Sequence, residues 1–442
     1  MTAVPLDDRR LDELRTIGDP EADALAAALR AGHEELDERE LVRAVLDQIG
    51  HAGAGGGEFA GLRDWLFGGP PLPEWSDRAR IQAGQEFFCE WALPICTSLF
   101  CASLPTGYAA AKGVQVLALT SDLATGDMRR RIGETAQMLV DVMDLGTSSP
   151  AALEPGGQGY VTARGVRLLH AVVRHAITTS PAVAQTCDEA ESPRWCSEWG
   201  HPVNQEDLLG TLLTFSVSVL AALDRLGIPY DPDGAESYMH VWCVVGSVLG
   251  IEPGLLPLSR AEAEDVANEI FRRQHAASSA GRRLMTVLLT EMELAMPWGL
   301  RNVPRTLVRH LTTPGVADML AVPKASWWRP ALGSMRVTGP LARRVPAARR
   351  AFEAPGNLLG RSMMRMFVDR SLNGGHAAFR LDLAAAGTLA VDPSPSGRER
   401  RERRRHTRIR RHAPHVDTAA PGAALLTGRR PAPGPDGAEV AP

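Results

Sequence analysis

Lysine is nearly missing from this 442-residue chain: Lys112 and Lys324 are the only two, so arginine carries almost all the positive charge. That bias reflects base composition and points to no function. The six cysteines, Cys89, Cys96, Cys101, Cys187, Cys196 and Cys243, include no C-x-x-C pair, which speaks against zinc. Four of them lie in apolar stretches, where cysteine acts as a small hydrophobe. There is no G-x-S-x-G, P-loop, H-E-x-x-H or strand-flanked G-x-G-x-x-G, so several common chemistries lose their usual carriers. No run of period-2 alternation and no fixed-period repeat occurs. The apolar runs at 208–223 and 241–256 are too short, or too interrupted by Gly and Pro, to span a bilayer, and read as buried core helices. The N-terminal MTAVPLDDRRLDELR has no apolar h-region and no twin-arginine signal, so the expected compartment is the cytoplasm.

What is present is helical. The chain is 44% hydrophobic, enough for a large core, and amphipathic segments follow one another. Asp19-Pro20 supplies an N-cap and N1 pair for a helix over 21–30. Helical patterning over 78–100 carries an expected kink at Pro94. Asn204 with Glu206 and Asp207 starts a helix running from Gln205 towards Leu223. Further helices are expected over 236–249, 260–275 and 278–294. The expected architecture is all-α, one large multi-helix domain over 1–390 and a disordered Pro/Arg-rich tail over 391–442. From Arg398 onward there are eleven Arg against five acidic residues, leaving 37 basic and 47 acidic residues before it. The acidic body argues against nucleic acid as a partner. Solvation is the ordinary fate of the basic tail, with weak contact to acidic surfaces as its other use.

The central stretch is 126–178, two amphipathic helices joined by TSSPAALEPGGQG. In the first, Met128, Ile132, Leu139, Val140 and Met143 recur at helical spacing, while Arg131, Glu134 and Thr135 project from one side. In the second, Val166, Leu169, Val173 and Ile177 form the buried stripe, and His170 falls inside it. An imidazole among apolar side chains needs a partner, because an unpaired buried polar group costs roughly 1–3 kcal/mol. A carbonyl could serve, with Arg131 and Glu134 forming a plain salt bridge; a metal could serve equally. Glu198 and His201 match a di-iron E-x-x-H spacing, but a single pair beside a proline is a chance match.

GYAAAKGVQVLALTSDLATGDMRRRIGETAQMLVDVMD, GVRLLHAVVRHAI and HPVNQEDLLGTLLTFS, followed by ESYMHVWCVVGSVLGIEPGLLP, RRQHAASSAGRRLMTVLL and PRTLVRHLTTPGVADMLAVP, resemble the latex-clearing protein and MpaB-type oxygenase family. The likeness runs over roughly residues 18–325, in order. It implies an all-α protein with a globin-like core around haem b, with His170 as the proximal iron ligand. It also implies Arg131 and Thr135 on the distal side, where they would bind O2. Latex-clearing proteins carry a Lys immediately before that Thr, able to cap the iron; here Glu134 stands there, and either pairs with Arg131 or acts as a base. The implied function is a haem-dependent oxygenase acting with O2 on a small hydrophobic, unsaturated substrate such as an isoprenoid. The alternative is a non-catalytic helical protein that binds a lipid or a partner without haem.

Overall fold

The computed structural model describes residues 6–33, 61–123, 128–145, 149–179, 183–184 and 195–324, with the backbone alone at 121–123, 128–131 and 183–184. The domain boundary at 390/391, the basic tail and Cys187 lie outside the described residues. The described fold is all-α, as the periodicity requires; the only strands among these residues are Val183–Ala184 and Trp195–Cys196, paired parallel.

The expected caps form. Asp19 accepts from the Ala22 backbone N–H at the start of the Pro20–Gly32 helix, and Asn204 accepts from that of Asp207 at the start of Gln205–Phe215. The helix expected to run from Gln205 to Leu223 is broken at Ser216 and resumes as Val217–Arg225. This run is apolar and long enough to cross a membrane by composition, but 78% of its most apolar window is buried in the fold.

The break expected at Pro94 falls slightly earlier. The Arg78–Glu90 helix stops at Trp91 and the next starts at Ala92, bent by 83°. Pro94 has no N–H to offer the Glu90 carbonyl, so the ladder opens one turn before the ring. Pro105 does the same to the Cys101 carbonyl. Between the two prolines the backbone widens into a π-turn, Leu99–Ser103, closed by Leu104 N–H donating to the Leu99 carbonyl.

The core centres on the Pro232–Val248 and Arg78–Glu90 helices. Gly84 permits their close approach, since a Cβ there would lie 2.3 Å from the Ser237 carbonyl oxygen. Tyr238 and Trp242 fill the middle, with Phe215 tilted against Trp242 at 4.9 Å. Buried aliphatic and phenyl side chains such as Ile81 and Phe88 each contribute about 1.5–3 kcal/mol.

Candidate active site

The two central helices are Met128–Val142 and Gln158–Thr179, and they pack against each other. Gly159 brings them together: a Cβ there would meet the Asp141 carbonyl oxygen at 2.8 Å. Next to it the buried Asp141 carboxylate accepts from Gln137 Nε2 and from Thr162 Oγ1, each at 2.8 Å. A carboxylate so bonded fixes the register of one helix on the other, because sliding would strand it in the core.

The outer side of the His170 helix is held by charge. Arg167 grips Asp19 through both carboxylate oxygens, at 2.5 and 2.8 Å, and reaches Glu21 at 2.9 Å. Arg164 donates to the Trp65 carbonyl and lies 3.9 Å over the Trp65 ring. Arg174 pairs with Asp23 and donates to the carbonyls of Pro202 at 3.0 Å and Val203 at 2.7 Å. Val203 has φ +51°, a left-handed conformation costly for a β-branched residue. The buried Arg174 guanidinium holds its carbonyl in that pose.

His170 lies three residues after Arg167 and four before Arg174, on the side of the helix they share. Its ring is half-buried, and Nδ1 is sealed from solvent with no hydrogen-bond partner among the described residues. Burial, aided by the nearby Arg174 charge and opposed by Asp19, pushes its pKa down to about 4. The imidazole is therefore neutral at pH 7, the form with a lone pair to give. A carbonyl partner or second hydrogen-bonding group at Nδ1, one of the two sequence-based options, is not present among the described residues. Buried, neutral and unpaired is the state of a nitrogen suited to a metal, so His170 fits haem iron in its donor chemistry. Among the described residues no three His, Cys, Asp or Glu side chains gather to hold an ion.

On the inner side of the Met128–Val142 helix lies an apolar cavity of about 120 Å³. Ile132, Thr135, Ala136 and Leu139 line it from that helix, at positions i, i+3, i+4 and i+7. The π-turn supplies Leu99, Phe100 and Ser103, and Phe215 and Leu284 also line the cavity. Thr135 and Ser103 bring hydroxyls into an otherwise mostly hydrocarbon wall, to which Cys96 and Tyr108 also contribute. Burial pushes the Cys96 thiol up to about 12, so it stays an uncharged lining group. His170 is not in this wall. Neither is Glu134, which is half-buried and sits 100° round the helix from Thr135. The structure thus sets Thr135 on the cavity and separates it from Glu134, whereas the sequence grouped the two. The Arg131 side chain, and with it the expected Arg131–Glu134 pair, lies outside the described residues. His201 and Glu198 stand at the chain surface near Arg15, with no ligand cluster around them among the described residues. Cys196 is disulfide-bonded, whereas Cys89, Cys96, Cys101 and Cys243 are free.

The family model for the ER-bound oxygenase mpaB/B'/rubber oxygenase catalytic domain matches residues 97–344, more than half of the chain. The chain belongs to that family. It is similar to the rubber oxygenase of Streptomyces sp. (strain K30), at 26% identity over 284 residues, covering 62% of this chain. The chain spans 63% of that relative's length. The fold is that of latex clearing protein LCP in its closed state, with a TM-score of 0.59 at 24% identity, covering 83% of this chain and 92% of that one. Two features of this family member were not legible beforehand. One is the arginine clamp behind His170, whose partners lie almost 150 residues away. The other is the π-turn, for which the Pro94–Pro105 spacing was the available signal.

Proposed function

We propose that this protein is an oxidoreductase, a haem b-dependent oxygenase that uses O2 on a hydrophobic unsaturated substrate, an isoprenoid or similar lipid, oxidised at a C=C bond. The observation that carries the reading is the neutral, half-buried His170, whose Nδ1 has no partner among the described residues. His170 would hold the iron, and the haem would supply the O2 chemistry. The protein's own part is to bind and orient. The apolar wall around Thr135 accepts a hydrocarbon chain and keeps water out, which strengthens any hydrogen bond made inside it. Thr135 presents a hydroxyl there, and Arg131, by its family position, adds a second donor. Glu134 sits off that wall and either pairs with Arg131 or acts as a base.

The test is the absorption spectrum of full-length protein produced with ample haem. A Soret band at roughly 400 nm is expected in wild type and absent in folded His170→Ala. A colourless wild type would leave the cavity as a lipid-binding pocket without haem. Arg131→Ala should keep the band and lose oxygen consumption; a variant that merely unfolds would make Arg131 structural. The proposed compartment is the cytoplasm, and the Cys196 disulfide tests it, since reducing compartments disfavour such bonds. Because Cys196 is buried, the protein is unfolded in denaturant with alkylating agent and no reductant directly on lysis; alkylation of Cys196 would support the cytoplasm, and protection would overturn it.

A further inference from the structure

The cavity on the inner side of the Met128–Val142 helix is small as well as apolar. At about 120 Å³ it is somewhat smaller than the aliphatic cavity of about 150 Å³ that stays dry and takes benzene, so it holds roughly five or six non-hydrogen atoms. A whole lipid does not fit inside it; one end of a chain does.

One hydroxyl in the wall stands out. Among the other polar lining groups, Tyr108 and Thr135 already engage neighbours, and the Cys96 thiol is a weak donor. Ser103 is 2% exposed, yet its hydroxyl makes no hydrogen bond among the described residues. Thr97 and Ser98, earlier in the same run, return their hydroxyls to the Leu93 and Pro94 carbonyls at 2.9 and 2.8 Å. The corresponding acceptor for Ser103 is the Leu99 carbonyl, which takes the Leu104 N–H in the π-turn. Nor is the Ser103 oxygen sealed, as the unpaired Gln85 Oε1 and Trp242 Nε1 are; the space it meets is the cavity. Water is a poor occupant there. A buried water needs two to four polar partners, and a single unpartnered hydroxyl in a mostly hydrocarbon wall does not supply them. An empty cavity would leave the donor unmet. The occupant that satisfies both the wall and the hydroxyl is apolar and carries one acceptor oxygen.

We propose that the cavity seats an unsaturated hydrocarbon end of about five carbons bearing one alcohol or carbonyl oxygen, which accepts a hydrogen bond from Ser103. The proposal rests on the hydrophobic-substrate reading and narrows it to an oxygenated chain end, with Ser103 as the residue that selects it. Full-length protein is titrated without O2 with two probes, prenyl alcohol and trimethylethylene, the hydrocarbon of the same skeleton without the oxygen. Wild type should bind both. Ser103→Ala should weaken the alcohol by about three- to tenfold, the loss of one hydrogen bond, and leave the hydrocarbon as in wild type. Ser103→Thr keeps the hydroxyl and should keep the wild-type ratio of the two affinities. Ala136→Leu fills part of the cavity and should weaken both probes. Wild type that binds neither probe overturns the proposal, as does a Ser103→Ala loss equal for the two. Alcohol binding undiminished by Ser103→Ala or by Ala136→Leu also overturns it, placing the alcohol elsewhere. Binding is read without turnover, so a colourless protein that discriminates the probes leaves this proposal standing and the haem reading fallen. A Soret band without discrimination does the reverse.

Discussion

His170 and His275 present the same puzzle in two regions of one fold. Each has a buried ring nitrogen without a partner among the described residues, Nδ1 in His170 and Nε2 in His275, and burial pushes both pKa values down to about 4. Their surroundings differ. His275 stacks on Phe271 at 4.9 Å, bonds the Thr106 backbone through its other nitrogen, and pairs with Ala110 in a β-bridge. It ties two segments together, and its ring is packed as an aromatic. His170 Nδ1, by contrast, has no partner among the described residues, while three arginines hold the helix that carries it. An orphaned nitrogen alone therefore does not mark a site. An orphaned nitrogen on a backbone over-determined by its neighbours does, because a ligand must be positioned without using its own lone pair.

The largest expected effect separates the two directly. His170→Ala should abolish the Soret band, whereas His275→Ala should keep it and lose stability; the reverse pattern would move the iron to His275. Next comes the clamp. Arg167→Ala leaves the buried Asp19 carboxylate unpaired and should cost about 3–5 kcal/mol in denaturant unfolding. Thr135→Val, which keeps the cavity's shape, should change stability by only about 1 kcal/mol. It should nonetheless lower turnover. Equal stability losses in the two variants would erase the distinction between scaffold and cavity.

Acid should act through the same imidazoles. His170, His240 and His275 fold with pKa values near 4, below the ordinary 6.5, so the folded chain binds fewer protons than the unfolded one. Their contribution is whole above about pH 6.5 and is lost as pH falls towards 4, with slope proportional to the proton difference. His275→Phe should flatten that slope by roughly a third, since three similar groups share it; unfolding curves at pH 4.5, 5.5 and 7 measure it. Smallest of all, truncation after Ala390 should leave the melting temperature almost unchanged, as the tail's composition predicts.

Much of the helical fold was legible because it is written locally. Asp19 and Asn204 cap where their spacing says, and of the expected stripes Leu139, Met143, Val173 and Ile177 are buried while Ile132, Val140, Val166 and Leu169 are half-buried. His170 stood out for the same reason, a polar ring in an apolar stripe. The break at Ser216 was not legible, since the residues on either side are equally apolar and only packing bends them. Thr135 and Glu134 looked equivalent in sequence, and one residue of helical rotation separated them.

By itself the sequence determined the all-helical class, the helix pair, and the imidazole set into it, because side-chain period and capping act over one or two turns. Tertiary structure alone decided that Asp19 and Asp23 would brace the His170 helix, that two prolines would open a π-turn onto a cavity, and that Trp298 would be left facing outward. Each of these depends on groups far apart in the chain meeting in space, and no local pattern of residues encodes which distant carboxylate a given arginine will find.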